Sequence, residues 1–333
     1  MIIFSKMIDG KDFNMTILLL ANMEKNILSI LDTRNETENI IDLGIKLKTA
    51  VKNGKKVDYL TNKTLAMIFE RASTRTRVSF DVGMAKLGGR AIFLSSNDIQ
   101  LGRGETIEDT ALVLSRYCDL IMYRALKKED LHELAKRATV PVINGLDINE
   151  HPCQILADLM TIKEYKGKLQ GLNFVFIGDG NDNLTHSYML GCTLVGMNVT
   201  VISHKNHWPS TYFVDKAKEI ATQKHLQVKI TDDINAVKDA DIVATDTWIS
   251  LWYEKQRKQI MADLKDYTIT QDVMRKAKND AIFMHCMPIY YGEEVVKEVA
   301  HGPQSVIIDE AENRMWAQMA LMLKLIKPNI NLQ

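Results

Sequence analysis

Short apolar runs alternate with helical patterns along most of this chain, and that alternation constrains its fold more than any other feature. The apolar runs form two series, and a long helical pattern at residues 152–166 separates them. Parallel strands need crossover helices, so this alternation with short connections predicts mostly parallel sheets with helices on both faces. The sequence therefore predicts an α/β fold of two doubly wound parallel-sheet domains, joined by interdomain helices near residue 150.

The individual elements can be predicted from periodicity and turn residues. We expect strands at 65–69, 91–94, 120–123, 140–144, 174–177, 199–202, 227–231, 242–245, 282–285 and 306–308. We expect helices at 15–35, 37–53, 78–87, 107–117, 128–138, 152–166, 187–195, 211–223, 234–238 and 309–326. A ligand is expected at the carboxyl ends of the strands, in the cleft between the two halves.

The bulk composition disfavours several classes of protein. The 333 residues include 42 basic and 42 acidic side chains, which gives no support to a nucleic-acid partner. The four cysteines are far apart in the sequence and lack CxxC spacing, which is typical of a reducing compartment. The apolar run at residues 17–21 is too short for a signal sequence or a membrane span. We expect a cytoplasmic protein without a nucleic-acid or membrane partner.

The stretch Ser73-Thr-Arg-Thr-Arg77 is the strongest local signal. It places three hydroxyl and two arginine side chains between a predicted strand and a helical pattern. Unpaired N–H groups and the positive end of the helix dipole favour an anion there, and arginine adds forked donors. The alternative is an ordinary helix N-cap with solvated arginines. The combination favours a phosphate site.

Polar side chains also follow other predicted strands, where an α/β sheet binds its ligand. They are Arg124, His151, Gln154, Asn183, Asp246, Cys286 and Arg314, with Cys153 and His285 beside them. Simpler interpretations exist, because His151 with Pro152 is a plausible helix start and Cys286 can be a buried inert thiol. A zinc site built from the two histidines and two cysteines of this set is another alternative, although their spacing matches no standard zinc pattern.

The turn Gly178-Asp-Gly180 raises the alternative of a dinucleotide site. It follows a predicted strand, but position 183 holds asparagine where the third glycine is expected. The next strand is not followed by an acidic residue that could bind a ribose. A nicotinamide-dependent dehydrogenase is therefore disfavoured.

Four ordered motifs resemble the carbamoyltransferases of the ornithine type. They are Ser73-Thr-Arg-Thr-Arg77, His151-Pro-Cys-Gln154, Asp246-Thr-Trp-Ile-Ser250 and His285-Cys-Met-Pro288. The resemblance implies transfer of a carbamoyl group from carbamoyl phosphate to the side-chain amine of L-ornithine, without a metal or organic cofactor. It implies a carbamoyl-phosphate domain at 1–147, an ornithine domain at 148–309, and a last helix, 310–328, that packs back on the first domain. Family members are generally homotrimers or multiples of trimers, with active sites between subunits.

The resemblance also assigns the site residues. Carbamoyl phosphate would be bound by Ser73, Thr74, Arg75, Thr76, Gln100, Arg124, His151, Gln154, Cys286, Met287 and Arg314, with Gln100 reaching into a neighbouring subunit. Ornithine would be bound by Asn183, Asp246, Ser250 and Leu251. The catalytic residues would be Arg124, His151, Asp246 and Cys286. The aspartate-specific branch lacks the Asp246…Ser250 and His285-Cys286 pairs, which argues against aspartate as the acceptor.

One segment departs from the family pattern. The usual Ser-Met-Gly is replaced by Ser250-Leu251-Trp252, which adds a large ring where the family has no side chain. Ornithine use and a pocket reshaped for another amine, such as putrescine, both remain open. A relative that binds carbamoyl phosphate without catalysis is disfavoured by the intact Arg75 and His151. Synthesis of arginine and breakdown of citrulline use the same site, so the sequence does not distinguish them.

Overall fold

The computed structural model describes residues 25–249 and 254–330, which contain two parallel β-sheets. The first has the order β2-β1-β3-β4, with β1 at Thr64–Phe69, β2 at Arg90–Ser95, β3 at Leu120–Arg124 and β4 at Val142–Asn144. The second has the order β7-β6-β5-β8-β9, with β5 at Asn173–Ile177, β6 at Asn198–Ile202, β7 at Val228–Thr231, β8 at Ile242–Thr245 and β9 at Ile282–His285. These neighbouring strands all pair in parallel, which confirms the predicted fold class.

Helices connect and cover these strands. In chain order they are α1 (Thr37–Lys52), α2 (Thr74–Lys86), α3 (Ile107–Tyr117), α4 (Lys128–Arg137), α5 (Pro152–Lys166), α6 (Asn183–Leu194), α7 (Thr211–Lys224), α8 (Arg257–Leu264), α9 (Gln271–Lys276), α10 (Lys297–Ala300) and α11 (Ile307–Ile326). Both β1 and β3 are buried along their whole length, because helices cover both faces of the sheet.

Each sheet has one point where the order of its strands reverses. The chain adds β2 on one side of β1 and β3 on the other. In the second sheet, β6 and β7 lie on one side of β5, whereas β8 and β9 lie on the other. Loops that leave such a strand pair diverge and open a crevice at the carboxyl ends. The polar residues after β1, β3, β5 and β8 lie at these two crevices.

Two long helices connect the two sheets. Helix α5 is buried from Pro152 to Ile162, and α11 packs against α5, α1 and α2. One apolar cluster extends from Met67 in β1 through Leu156 in α5 to Phe174 in β5. Because this core is continuous and close-packed, it fixes the two crevices relative to each other.

Three predicted elements are wrong in the described residues. The helix expected at 15–35 is, where described, a 3₁₀ turn at Ile30–Thr33 whose start is capped by Ser29, and residues 15–24 lie outside the described range. The strand expected at 306–308 is the start of α11, because Ile308 is 66% exposed and cannot belong to a buried strand. The helix expected at 234–238 is a 3₁₀ turn.

The structure also contains elements that the sequence did not predict. Helices α8, α9 and α10 have only eight, six and four residues, so they are too short to show a clear apolar period. Among the helices of the described residues, no segment has the length and apolar character that crossing a membrane requires.

Candidate active site

A cavity of about 360 Å³ lies at the carboxyl ends of the strands, between the two sheets. Its wall consists of Ala72, Ser73, Thr74, Arg75, Arg124, Leu146, His151, Gln154, Asp182, Asn183, Asp246, Thr247, Ile249, Glu254, Cys286, Met287, Pro288, Tyr290 and Arg314. The structure thus brings together nearly all the predicted site residues in the described part of the chain. Of that predicted set, only Thr76 and Gln100 do not line the cavity.

The Ser73 turn forms one side of the cavity. Ser73 has an extended backbone and is the N-cap of α2, since its Oγ accepts a hydrogen bond from the N–H of Thr76 at 3.3 Å. The hydroxyl oxygens of these two residues are 3.0 Å apart, and Thr76 is fully buried. The turn is both a helix cap and a cavity wall, so the two interpretations of this motif do not exclude each other.

Three arginines from separate elements converge beside this turn. Arg314 in α11 and Arg124 in β3 donate to Oγ1 of Thr76 at 2.7 and 3.5 Å, and Arg75 in α2 donates to the carbonyl of Met287 at 2.6 Å. The Nε atom of each arginine is buried without a hydrogen-bond partner among the described residues. Burial, together with the charges of Arg314 and Arg75, lowers the pKa of Arg124 to about 10. This concentration of positive charge suits an anion.

His151 lies at the start of α5 and faces the same cavity. Its backbone N–H donates to Oγ of Ser187 at 2.7 Å, whereas its ring Nδ1 is buried without a partner among the described residues. Burial, followed by the charges of Arg314 and Arg124, lowers the pKa of His151 well below its usual value. The imidazole is therefore neutral at pH 7 and can donate one ring N–H to a ligand.

Gln154 lies on α5 one turn after His151. Its Nε2 donates to the carboxylate of Asp158 at 2.8 Å and, at 3.4 Å, to that of Glu310. Its Oε1 is buried and has no hydrogen-bond partner among the described residues. Gln154 thus offers the cavity an acceptor, whereas the nearby arginines offer donors.

A carboxylate and a thiol meet on the opposite side of the cavity. Asp246 follows β8 and Cys286 follows the neighbouring β9, and the Cys286 thiol donates to Oδ1 of Asp246 at 3.2 Å. The N–H of Thr247 donates to the same oxygen at 2.7 Å. Burial and then the charge of Asp182 raise the pKa of Asp246, and burial and then the charge of Asp246 raise that of Cys286. The thiol stays protonated, and the pair can take up a proton from a ligand.

The first residues of α6 complete this side. Asp182 is the N-cap, with Oδ1 accepting the N–H of Leu184 at 2.9 Å, and the amide of Asn183 donates to its Oδ2 at 3.3 Å. Sequence reasoning missed Asp182, Glu254 and Tyr290 as cavity residues. Asp182 carried a signal, since it is adjacent to Asn183 in a turn after a strand. Glu254 and Tyr290 carried none, because they lie between clearly periodic segments.

Five residues from the predicted site and its altered loop do not line this wall or are not described, and the buried Thr76 is one of them. Gln100 begins a 3₁₀ turn, Gln100–Arg103, and its side chain is exposed. Ser250 and Leu251 lie outside the described residues, as does Trp252. Their predicted contacts therefore remain predictions.

The zinc alternative finds no support in the side-chain arrangement. Among the described residues, potential ligand atoms lie within 4.8 Å of one another in two groups, Asp246, His285 and Cys286, and His204, His207 and Asp263. His151 and Cys153 belong to neither group, so the four-residue set does not assemble. In His285, Nδ1 accepts the N–H of Met287 at 2.9 Å and Nε2 contacts Glu294 at 3.1 Å, which leaves no ring nitrogen for a metal.

The glycine turn after β5 has a packing role. A Cβ added to Gly180 would lie 2.6 Å from the carbonyl oxygen of His207, in the loop after β6. In a dinucleotide site, the corresponding glycine lets the pyrophosphate approach the backbone. Here the protein's own backbone occupies that position, so the turn does not fit a dinucleotide.

Both halves of the chain match one family of known proteins. Residues 25–164 match the carbamoyl-P binding domain of aspartate/ornithine carbamoyltransferases, and residues 170–325 match their Asp/Orn binding domain. An ornithine carbamoyltransferase from Oceanobacillus iheyensis is 50% identical over 304 residues, which cover 91% of this chain and 94% of that protein. A catabolic ornithine carbamoyltransferase from Thermoplasma volcanium is 47% identical over 305 residues, with 91% and 99% covered.

A solved structure agrees with the sequence relatives. The ornithine carbamoyltransferase from Pyrococcus furiosus superimposes with a TM-score of 0.87 and 44% identity, covering 92% of this chain and 98% of that one. The two matched domains together span most of the chain, and the cavity lies between them. The chain therefore belongs to the aspartate/ornithine carbamoyltransferase family.

Proposed function

We propose that this protein is an ornithine carbamoyltransferase, which transfers the carbamoyl group of carbamoyl phosphate to the side-chain amine of L-ornithine and releases L-citrulline and phosphate. One observation carries the proposal: an arginine-rich anion site and a carboxylate–thiol pair face one cavity of about 360 Å³. The first suits a phosphate leaving group and the second suits an attacking amine. The relatives compared above bear the same activity in their names.

In this proposal, the phosphate is bound at the start of α2. The N–H groups and hydroxyls of Ser73, Thr74 and Thr76 contribute neutral donors, and Arg75 contributes a forked charged donor. Gln100 of a neighbouring subunit, Arg124 and Arg314 would complete this set, whereas Cys286 and Met287 would contact carbamoyl phosphate from the opposite side of the cavity. The unpartnered Nε atoms of the three arginines support it, because a buried donor without a partner is costly unless a ligand pairs with it.

The carbamoyl group would lie between His151, Arg124 and Gln154. Its carbonyl oxygen gains negative charge as the amine attacks, so donors on neutral His151 and charged Arg124 would stabilise the transition state. The free Oε1 of Gln154 would accept a hydrogen bond from the carbamoyl NH₂. Preorganised donors of this kind typically contribute about 10²- to 10³-fold in rate each.

The amine must lose a proton before it attacks. For an amine with a pKa near that of lysine, deprotonation at neutral pH costs about 4–5 kcal/mol. Asp246, whose pKa is raised by burial, can take that proton, and the Cys286 thiol at 3.2 Å can relay it. Asn183, Ser250 and Leu251 would hold the α-amino acid end of ornithine.

The side of the cavity that contains Asp182, Asn183, Asp246 and Cys286 is called the acceptor side, and its charge supports a cationic acceptor. Among the described residues that line this side, Asp182, Asp246 and Glu254 are acidic, and none is lysine or arginine. Such a wall attracts an ammonium group and repels a second carboxylate, which disfavours aspartate. Putrescine is also cationic and stays the alternative acceptor, since Trp252 lies outside the described residues.

The proposal extends to assembly and location. A homotrimer, or a multiple of trimers, would bring Gln100 of one subunit to the site of the next. Exposed apolar side chains on α2 and β2, Val78, Val82 and Ile92, support burial of this face between subunits. We also propose a carbamoyl-phosphate domain at 1–147 with 310–328 packed on it, an ornithine domain at 148–309, and a cytoplasmic role in arginine metabolism.

A substrate panel tests the proposal. The protein is incubated with carbamoyl phosphate and, separately, with ornithine, putrescine, lysine or aspartate, and the ureido product is measured. We expect turnover with ornithine at the highest kcat/KM. Turnover with putrescine but not ornithine would overturn the acceptor, and the absence of product with every amine would overturn the enzyme.

A further inference from the structure

We propose that Asp158 and Glu310 form a buried carboxylic acid–carboxylate pair that positions Gln154 towards the carbamoyl group. Neither side chain lines the cavity, and both residues are fully buried. What Gln154 binds rests on the proposed function. The pair itself is a property of the fold and can be detected without substrate.

The pair lies where two interdomain helices meet. Gln154 and Asp158 are one turn apart on α5, and Glu310 and Arg314 are one turn apart on α11. Residues four apart lie on the same face of a helix, and α5 and α11 pack against each other. Each helix therefore presents one side chain to the cavity, with one carboxylate behind it.

The hydrogen bonds indicate where the shared proton lies. Oδ1 of Asp158 accepts from Nε2 of Gln154 at 2.8 Å, and Oε1 of Glu310 accepts from the same nitrogen at 3.4 Å. Oε2 of Glu310 accepts from the backbone N–H of His285 at 2.8 Å. Oδ2 of Asp158 is buried and receives no N–H from the described residues. Of the four carboxyl oxygens, it is the one that accepts no N–H, so we place the hydrogen of the pair there.

The surroundings favour one proton on the pair rather than none. Burial raises the pKa of both carboxyl groups. Two fully buried carboxyl groups that accept from the same nitrogen cannot both ionise cheaply. The charged or titratable groups that face the pair are Arg314 from α11, Tyr188 and Cys192 from α6, Asp246 after β8 and Cys286 after β9. A pair with a single negative charge balances Arg314.

The pair explains the orientation of the Gln154 amide. Both hydrogens of Nε2 are donated to carboxyl oxygens, so Oε1 lies on the other side of the amide and faces the cavity. A flipped amide would place its oxygen against ionised Glu310, which is repulsive. Asp158 and Glu310 are therefore positioning residues that keep an acceptor facing the carbamoyl NH₂.

The test compares Asp158→Asn with Glu310→Gln in the full-length protein. Asparagine keeps the acceptor oxygen of Asp158 and replaces its O–H with an N–H donor, so KM for carbamoyl phosphate should rise only a few-fold. Glutamine at 310 replaces one of the two acceptor oxygens of Glu310 with an NH₂ donor, which then faces either the N–H of His285 or the Nε2 of Gln154. Because two donors cannot pair, the same KM should rise about tenfold to a hundredfold. KM for the amine should change little in both variants.

A control variant and an infrared spectrum distinguish a specific role of the pair from a general effect of losing a helix carboxylate. Glu164→Gln changes another α5 carboxylate, which pairs with Lys48 and does not line the cavity, and it should leave both KM values unchanged. The infrared difference between substrate-free wild type and Asp158→Asn should contain the carbonyl stretch of a protonated carboxylic acid at neutral pH. Glu164→Gln should retain that band.

The outcomes separate this inference from the proposed function. If the difference spectrum of wild type and Asp158→Asn contains no band of a protonated carboxylic acid, the pair does not hold a proton and the inference is wrong. This outcome does not depend on which amine the enzyme uses. A tolerated Glu310→Gln with an impaired Asp158→Asn would overturn the assignment of the proton to Asp158. A wild type that shows the band but carbamoylates no amine would refute the activity and leave the pair intact.

Discussion

The two sides of the cavity carry opposite charges, and on each side like charges repel one another. The phosphate side is the one with the Ser73 turn and the three arginines. On the phosphate side, Arg75, Arg124 and Arg314 crowd together, and burial with neighbouring charge lowers the pKa of Arg124 to about 10. On the acceptor side, burial and neighbouring carboxylates raise the pKa of Asp246, next to Asp182. Each wall is costly because like charges are held together among buried side chains. An anion on one side and an ammonium on the other would relieve that cost, so in the proposed function the same feature would attract both substrates and hold them in separate places.

The two sides also differ in how they are anchored. The arginines donate to the Thr76 hydroxyl and to the carbonyls of Gly145 and Met287, and the Met287 carbonyl belongs to the acceptor side. The Arg75–Met287 hydrogen bond thus links the two walls. The acceptor carboxylates are instead fixed by local backbone N–H groups, those of Thr247 and Leu184. Changes on the phosphate side should therefore disturb both substrates, and changes on the acceptor side should disturb one.

The largest effect is expected for Arg75→Ala. It removes a charged donor from the phosphate side and the hydrogen bond that links the two walls. The loss of a buried charged contact should lower kcat/KM for carbamoyl phosphate by about 10²- to 10³-fold and also raise KM for the amine. Steady-state kinetics with each substrate varied in turn measure both effects.

Arg77→Ala is the matched control for this variant. Arg77 lies two residues further along α2, is exposed, and stacks over Phe93 with its guanidinium 3.7 Å from the ring centre. It does not line the cavity, so its removal should change kcat/KM by less than about threefold. Equal kinetics for the two variants would mean that the Ser73–Arg77 stretch is only a helix cap.

An intermediate effect, confined to one side, is expected for Cys286→Ser. Serine keeps a donor to Asp246 but gives up the softer, more acidic thiol, so kcat should fall about tenfold to a hundredfold. KM for carbamoyl phosphate should stay within a few-fold of the wild type. Cys118→Ser, which alters a buried cysteine that does not line the cavity, should be kinetically silent. A loss of carbamoyl-phosphate binding in Cys286→Ser would show that the two sides are not separable.

Much of this cavity could be predicted because its residues directly follow buried strands. The runs ending at Phe69, Thr245 and His285 were recognisable from their apolar character, and their ends in the structure agree with the predicted ends. Parallel strands bring these ends to one edge of the sheet, so the polar residues that directly follow the strands could be predicted to lie together. The hydroxyl–arginine turn was equally visible, because a helix start has a distinct composition.

The parts that could not be predicted depend on contacts between distant segments. Asp158 and Glu310 look like ordinary helix carboxylates in the sequence, and only the packing of α5 against α11 makes them a pair. The run at 306–308 is as apolar as a strand, but within the described residues the bridge pairing of this segment is limited to Ser305, which pairs with Phe283 of β9. Periodicity reports which face of an element is buried and does not report which element buries it.

The smallest and most specific effect is a proton taken up when the phosphate side is occupied. Because the pKa of Arg124 is about 10, part of this arginine is neutral at pH 10, and a bound dianion should protonate it again. Calorimetric titration with inorganic phosphate, in two buffers of different ionisation enthalpy, should register a larger proton uptake at pH 10 than at pH 8. Phosphate is already a dianion at both pH values, so the difference reports on the protein. Arg77→Ala should retain the uptake, whereas its absence in the wild type would mean that burial and the neighbouring arginines do not lower the pKa of Arg124 enough to discharge it at pH 10.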